Sequence, residues 1–162
     1  MTSISPIHLP PRNLSVALVS PQIAPNTGNI ARLCVATGTP LHLVRPLGFV
    51  LSDRQLRRSA MDYWPRLKLT VHDDIDGFFS TMNGARFWFF SSKAQRTIWD
   101  ARFAAGDCLV FGNETHGLSD DILLRDPAAA LRIPQAEGER CLNLSTAVGI
   151  GVYEALRQLT AS

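Results

Sequence analysis

With 162 residues, 46% of them hydrophobic and 19% charged, the chain has the size and balance of one globular domain that can bury its core without metals or disulfides. A formal net charge of +2 is too small to announce a nucleic-acid binder by itself, and no apolar run approaches the ~20 residues of a membrane span. Cys34, Cys108 and Cys141 are odd in number, lie in apolar segments and lack C-x-x-C spacing, which argues against a disulfide framework or a zinc site and for reduced thiols that partly fill the core.

The opening "MTSISPIHLPPRN", residues 1–13, carries prolines but no charged stretch followed by an apolar one. It reads as a flexible leader without a secretion signal, so the expected location is cytoplasmic, and residues 14–162 form the domain. A first strand is expected at 16–19. It is followed by "APNTGNIARLC", the start of a helix predicted over 26–37, with Asn26 as N-cap and Thr27, Gly28 and Asn29 in the first turn. Ile30, Leu33, Cys34 and Thr37 follow the i, i+3, i+4, i+7 spacing of a buried stripe; Arg32, about 200° around the helix from Ile30, points away from the core. Such a start serves either as an ordinary capped helix with one solvated arginine or as an anion-binding helix terminus with a guanidinium alongside.

A second strand is expected at 41–44, then a helix at 53–61 on which Arg54, Arg57 and Arg58 share one face near Arg66 and Lys68. That cluster is either a solvated face or a contact for phosphates. A helix at 74–82 and a strand at 86–90 follow. The strand at 108–111 runs straight into "GNETHG", with Glu114 and His116 between two glycines, which is either a tight turn or a loop whose Gly112 lets a ligand lie against the strand end. After a helix at 119–124 and a strand at 130–133, the polar loop "PQAEGERCLNLS" leads to a last helix over 145–159 with Ser145 as its cap. Ala147, Gly151 and Ala155 recur every four residues there. Glycines within a helix cost about 1 kcal/mol each relative to alanine, so this narrow face is expected to pack closely on another helix, as a self-association surface or, alternatively, within the chain. Alternating strands and helices imply an α/β domain, one mostly parallel sheet flanked by helices, with its ligand crevice outside the carboxyl ends of the strands.

Common site signatures are missing. There is no G-x-G-x-x-G after the first strand, no P-loop and no G-x-S-x-G elbow. His8, His42, His72 and His116 have no metal-ligand spacing, so they are expected to be surface or loop histidines, and no metal is expected.

Taken in order, "NTGNIAR", "LVFGNETHGL" and "RIP" followed by "CLNLSTAVGIGVYEA" resemble the motifs of the SPOUT superfamily, in its SpoU branch of RNA ribose 2′-O-methyltransferases, across nearly the whole chain. Within that branch, "PNTGNIARLC", "LRRSAMDYW" and "NLSTAVGIGVYEALRQ" look most like the small single-domain tRNA enzymes that methylate the wobble nucleotide, cytidine or uridine. The resemblance implies a SPOUT fold with a C-terminal deep trefoil knot, S-adenosyl-L-methionine as methyl donor, a homodimer whose subunits both contribute to the site, and a tRNA anticodon stem-loop as substrate. By position it implies donor contacts to the main chain at Phe90, Gly112, Ile133, Cys141 and Leu142, with glycine at 112 needed for access. Such enzymes commonly carry serine where Cys141 stands, so a main-chain contact carries over and a hydroxyl bond does not. Because a guanidinium stays protonated, Arg32 is implied to grip an RNA phosphate and stabilise the developing alkoxide. Asn26, Glu114, Asn143 and Ser145 are implied to organise Arg32 and the ribose by hydrogen bonds, with Glu114 fixing either the guanidinium or a loop N–H. An enzyme of the same branch acting on ribosomal RNA or another tRNA position, and a non-catalytic RNA-binding homologue, stand as alternatives.

Overall fold

Leu14–Val19 (β1) and Asp107–Phe111 (β6) are short, almost wholly buried apolar runs, the composition of interior strands of a parallel sheet covered on both faces. The computed structural model describes residue 9, residues 14–52 and residues 62–160. The leader apart from residue 9, and the helix expected at 53–61 with Arg54, Arg57 and Arg58, lie outside the described residues.

Besides β1 and β6 the described strands are Leu41–Val44 (β2), Leu69–His72 (β3), Phe87–Phe90 (β4), Arg96–Thr97 (β5) and Ala130–Arg132 (β7). They form one seven-stranded sheet in the order β3-β2-β1-β6-β4-β7-β5, and every pairing is parallel. β3 and β5, the edge strands, were not expected from the sequence. β3 reads "LTVH" with only its last residue buried, and β5 is two residues long, so neither shows the continuous apolar run of an interior strand.

The helices are Ala24–Thr37 (α1), Ile75–Thr81 (α2), Asp120–Leu123 (α3) and Leu144–Thr160 (α4). α1 and α4 pack on each other, and α4 also lies against β1 and β6. The expected buried stripe of α1 is present, with Ile30, Cys34 and Thr37 buried, Leu33 half-buried and Arg32 exposed. The expected self-association face of α4 is corrected, because Gly151 and Ala155 are buried within the chain. A Cβ on Gly151 would lie 3.0 Å from the Phe90 ring and 3.2 Å from that of Phe111, so the small residues let the helix approach its own sheet.

Two of the four histidines are corrected as well, whereas His116 is exposed in the loop after β6 as expected and His8 lies outside the described residues. His42 on β2 and His72 on β3 are buried, with Nδ1 of one 3.0 Å from Nε2 of the other, and Phe78 of α2 meets both rings edge-on. Burial, and then the neighbouring His72, push the His42 pKa down to about 4, while burial also lowers that of His72. Cys34 and Cys108 are core thiols pushed up to about 12 by burial, whereas Cys141 is exposed and fills no core.

In-register pairing sets Phe90 beside Phe111 and beside Leu131. The carboxyl ends of β4, β6 and β7 therefore stop level with one another, and the loops that leave them converge. Leu18 near the end of β1 is in register with Phe111, which delivers the start of α1 to the same edge.

Candidate active site

Where those loops meet, a cavity of about 360 Å³ opens, within the range of roughly 300–1,000 Å³ typical of small-molecule sites. Phe90 and Phe111, stacked with centroids 4.4 Å apart, give it an apolar side. Phe90, Gly112, Ile133, Cys141 and Leu142 all line this one cavity. So do Ser91, Ser92, Lys93, His116 and Gln135, to which the sequence reading gave no donor contact. The rule that ligands gather outside strand ends marks Ser91–Lys93, directly after β4, but no residue type there singled them out.

The loop after β6 is shaped by its own side chains. Asn113 Oδ1 accepts from the N–H groups of Thr115 at 3.0 Å and His116 at 2.7 Å, and Gly117 closes the turn with φ +67°, a conformation natural to glycine. Gly112 is needed for a further reason besides the expected one. A Cβ there would run into the main chain of Gly117 and Leu118, so the chain's own crossing, before any ligand, demands glycine.

Glu114 leaves this loop and reaches α1. Its carboxylate accepts from the main-chain N–H of Gln22 at 2.8 Å and of Ile23 at 3.0 Å, and from the Asn26 amide at 3.3 Å. Glu114 thus fixes main-chain N–H groups rather than a guanidinium. A negative charge at the positive end of a helix dipole is favourable, and hydrogen bonds to a charged acceptor contribute about 1.5–3 kcal/mol. The N-cap of α1 is Ile23, with no side-chain cap of its own, so Asn26 is not the cap that was expected. It sits buried one turn in, where its Oδ1 accepts from Asn143 Nδ2 at 3.0 Å.

Asn143, not Ser145, caps α4. Its Oδ1 accepts from the N–H groups of Ser145 at 2.9 Å and Thr146 at 3.4 Å and from the Ser145 hydroxyl at 2.6 Å. Glu114, Asn26, Asn143 and Ser145 are therefore one continuous chain of hydrogen bonds joining the loop after β6 to the starts of both α1 and α4. Arg32 stands apart from that chain. Its guanidinium lies over the Tyr63 ring, 5.1 Å from the centroid. Among the described residues, no group of His, Cys, Asp and Glu could hold a metal ion, and no helix is long and apolar enough to cross a membrane.

Comparison with known proteins gives a consistent picture. The family model described as SpoU rRNA Methylase matches residues 13–153. A protein of Burkholderia ambifaria named tRNA (cytidine(34)-2′-O)-methyltransferase is 44% identical over 147 residues, 89% of this chain and 94% of its own. A solved structure described by the words "Structural insights into the 2-OH methylation of C/U34 on tRNA" superposes with a TM-score of 0.90 at 45% identity, covering 94% of this chain and all (100%) of that one. The AdoMet-bound rRNA methyltransferase of Sinorhizobium meliloti superposes with a TM-score of 0.82 at 25% identity, over 94% of this chain and 59% of that one.

Proposed function

The chain belongs to the SpoU methylase family, and on that premise we propose that it transfers a methyl group from S-adenosyl-L-methionine to the ribose 2′-hydroxyl of the wobble nucleotide, cytidine or uridine 34, of a tRNA. The names of its relatives support the substrate. The observation that carries the reading is the hydrogen-bonded chain from Glu114 through Asn26 to Asn143 and Ser145, which ties the donor-sized cavity to the helix bearing Arg32.

The cavity fits the donor. Stacked Phe90 and Phe111 offer an apolar wall, and the open main chain around Gly112, Ile133, Cys141 and Leu142 offers polar groups. When bound, the donor supplies an electrophilic methyl carbon. The protein's own tasks are to bring the ribose oxygen in line with it and to ease removal of the hydroxyl proton. Arg32, exposed on α1, holds a backbone phosphate and stabilises negative charge developing on the ribose oxygen. Asn26, Glu114 and Asn143 hold α1 and α4 in register for that role, and the Ser145 hydroxyl faces the ribose.

The same reading includes the family's C-terminal knot, a homodimer and a cytoplasmic location, which the resemblance of the motifs supports. With the small face of α4 spent inside the chain, the second copy would dock at the start of α1 and on the outer face of α4, where Ile23 and Tyr153 are exposed. Mass spectrometry of tRNA nucleosides and anticodon fragments from cells with and without the protein tests the assignment. Loss of a wobble 2′-O-methyl group is expected; an unchanged anticodon with a methyl group missing elsewhere would assign another RNA position.

A further inference from the structure

Tyr63 precedes a 3₁₀ turn, Trp64–Arg66, fixed by the hydrogen bond from Arg66 N–H to Tyr63 O at 2.9 Å. Half-buried Trp64 and Leu67 anchor the turn against the core. Two guanidinium groups converge on the Tyr63 ring, Arg32 at 5.1 Å and Arg66 at 5.5 Å from the centroid. Among the described residues, neither arginine has a carboxylate partner, in contrast to Arg45, Arg86, Arg125 and Arg157, which pair with Asp73, Asp107, Asp76 and Glu154. Two exposed cations gathered on one ring repel each other. The π-face offsets part of that cost, each contact contributing about 0.5–1 kcal/mol at an exposed site, and an anion between or beside them would remove the rest. The fork geometry of guanidinium suits phosphate oxygens.

We propose that Tyr63 is a positioning residue whose ring holds Arg32 and Arg66 together as a clamp for the phosphodiester backbone of the RNA substrate. Arg32 belongs to the site described above, and the inference rests on that reading for its link to turnover. Arg66 supplies the second phosphate contact from a different element, 34 positions further along the chain, so the clamp bridges α1 and the turn before β3. Tyr63 touches no reacting atom. It sets where the Arg32 guanidinium waits before RNA arrives.

The experiment measures methylation kinetics and direct binding of an unmodified anticodon stem-loop RNA for Tyr63→Phe, Tyr63→Leu and Arg66→Gln. Tyr63→Phe keeps the ring and is expected to behave as the unsubstituted protein. Tyr63→Leu is expected to lower kcat about two- to fivefold, with KM for S-adenosyl-L-methionine unchanged. Arg66→Gln is expected to raise KM for RNA and to reduce the slope of log affinity against log salt by about one, with kcat preserved. Wild-type kinetics and salt slope in Tyr63→Leu would overturn the proposal. So would equal losses in Tyr63→Phe and Tyr63→Leu, which would assign the role to the hydroxyl. Should the unsubstituted protein bind this RNA without methylating it, the functional assignment fails while the salt slopes of Arg66→Gln and Tyr63→Leu still decide the clamp.

Discussion

The two flanks of the sheet both commit polar side chains to hydrogen bonds, to different ends. On the β2–β3 flank His42 and His72 satisfy each other at 3.0 Å under the Phe78 ring. On the β6–β4–β7 flank Glu114 and Asn143 spend their oxygens on main-chain N–H groups at the starts of α1 and α4, and the loops they steady enclose a cavity of about 360 Å³. A buried polar residue does not by itself mark a site. Side chains that saturate one another hold structure together, whereas side chains that stiffen loop ends around open space prepare a surface for a ligand. Substitutions on the first flank should therefore move stability alone, and those on the second should move stability and turnover together.

The largest effect is expected from Gly112→Ala. The added Cβ meets the main chain of Gly117 and Leu118, and backbone yields less readily than a flexible side chain, so the loss should reach about 3 kcal/mol or more. Urea denaturation measures it. Stability within about 0.5 kcal/mol of the parent would show that ligand access, and not the chain crossing, demands glycine. Next comes Glu114→Ala, which strips acceptors from the Gln22 and Ile23 N–H groups and the Asn26 amide. It should cost about 1–3 kcal/mol and lower methyl transfer, because α1 carries Arg32. A stability loss with full turnover would break the contrast between the flanks.

That carboxylate also shows what the sequence could and could not disclose. The strands of the sheet interior were legible because each is a short apolar run, and the stripe of α1 because its period is helical. The cap of α4 was misplaced by two residues, since Asn143 and Ser145 are both good capping types and lie close together. The cap of α1 was beyond local reading. Its acceptor, Glu114, is separated from Gln22 by 92 positions, and Asn26 looked like the cap because its type and place suit one. Gly151 was readable as a point of close approach but not as to which partner, for a small face fits a sheet as well as a second helix. The convergence of Tyr63, Arg32 and Arg66 depends on the turn that brings residues 63–66 to α1, and no local pattern encodes it.

The histidine flank supplies the next test. His42 is held down to about 4 from an ordinary value of 6.5, so the unfolded chain takes up a proton in a range where the folded chain does not. Stability is fully present above about pH 6.5 and is lost as the pH falls towards 4. Between pH 7 and pH 5 the loss from this group should be roughly 2 kcal/mol. His42→Asn should flatten the dependence of the urea midpoint on pH across that window and leave kcat at pH 7.5 unaltered. A fall in kcat out of proportion to the folded fraction would give this flank a part in the chemistry.

The smallest effect on stability, and the sharpest on the boundary between structure and site, is expected from Ser145→Ala. The hydroxyl donates to Asn143 Oδ1 at 2.6 Å, but that oxygen also accepts from the main-chain N–H groups of Ser145 and Thr146, and Asn143 stays bonded to Asn26. One neutral hydrogen bond at a partly exposed position contributes about 0.5–1.5 kcal/mol, and alanine recovers roughly half a kcal/mol of helix propensity. The cap should therefore survive nearly intact. If the hydroxyl also faces the ribose, kcat should fall about tenfold, a change of about 1.4 kcal/mol in the barrier, while the denaturation midpoint barely moves. A variant that keeps both its midpoint and its kcat would place Ser145 beside the histidine pair, as a side chain satisfied by its neighbour and by nothing else.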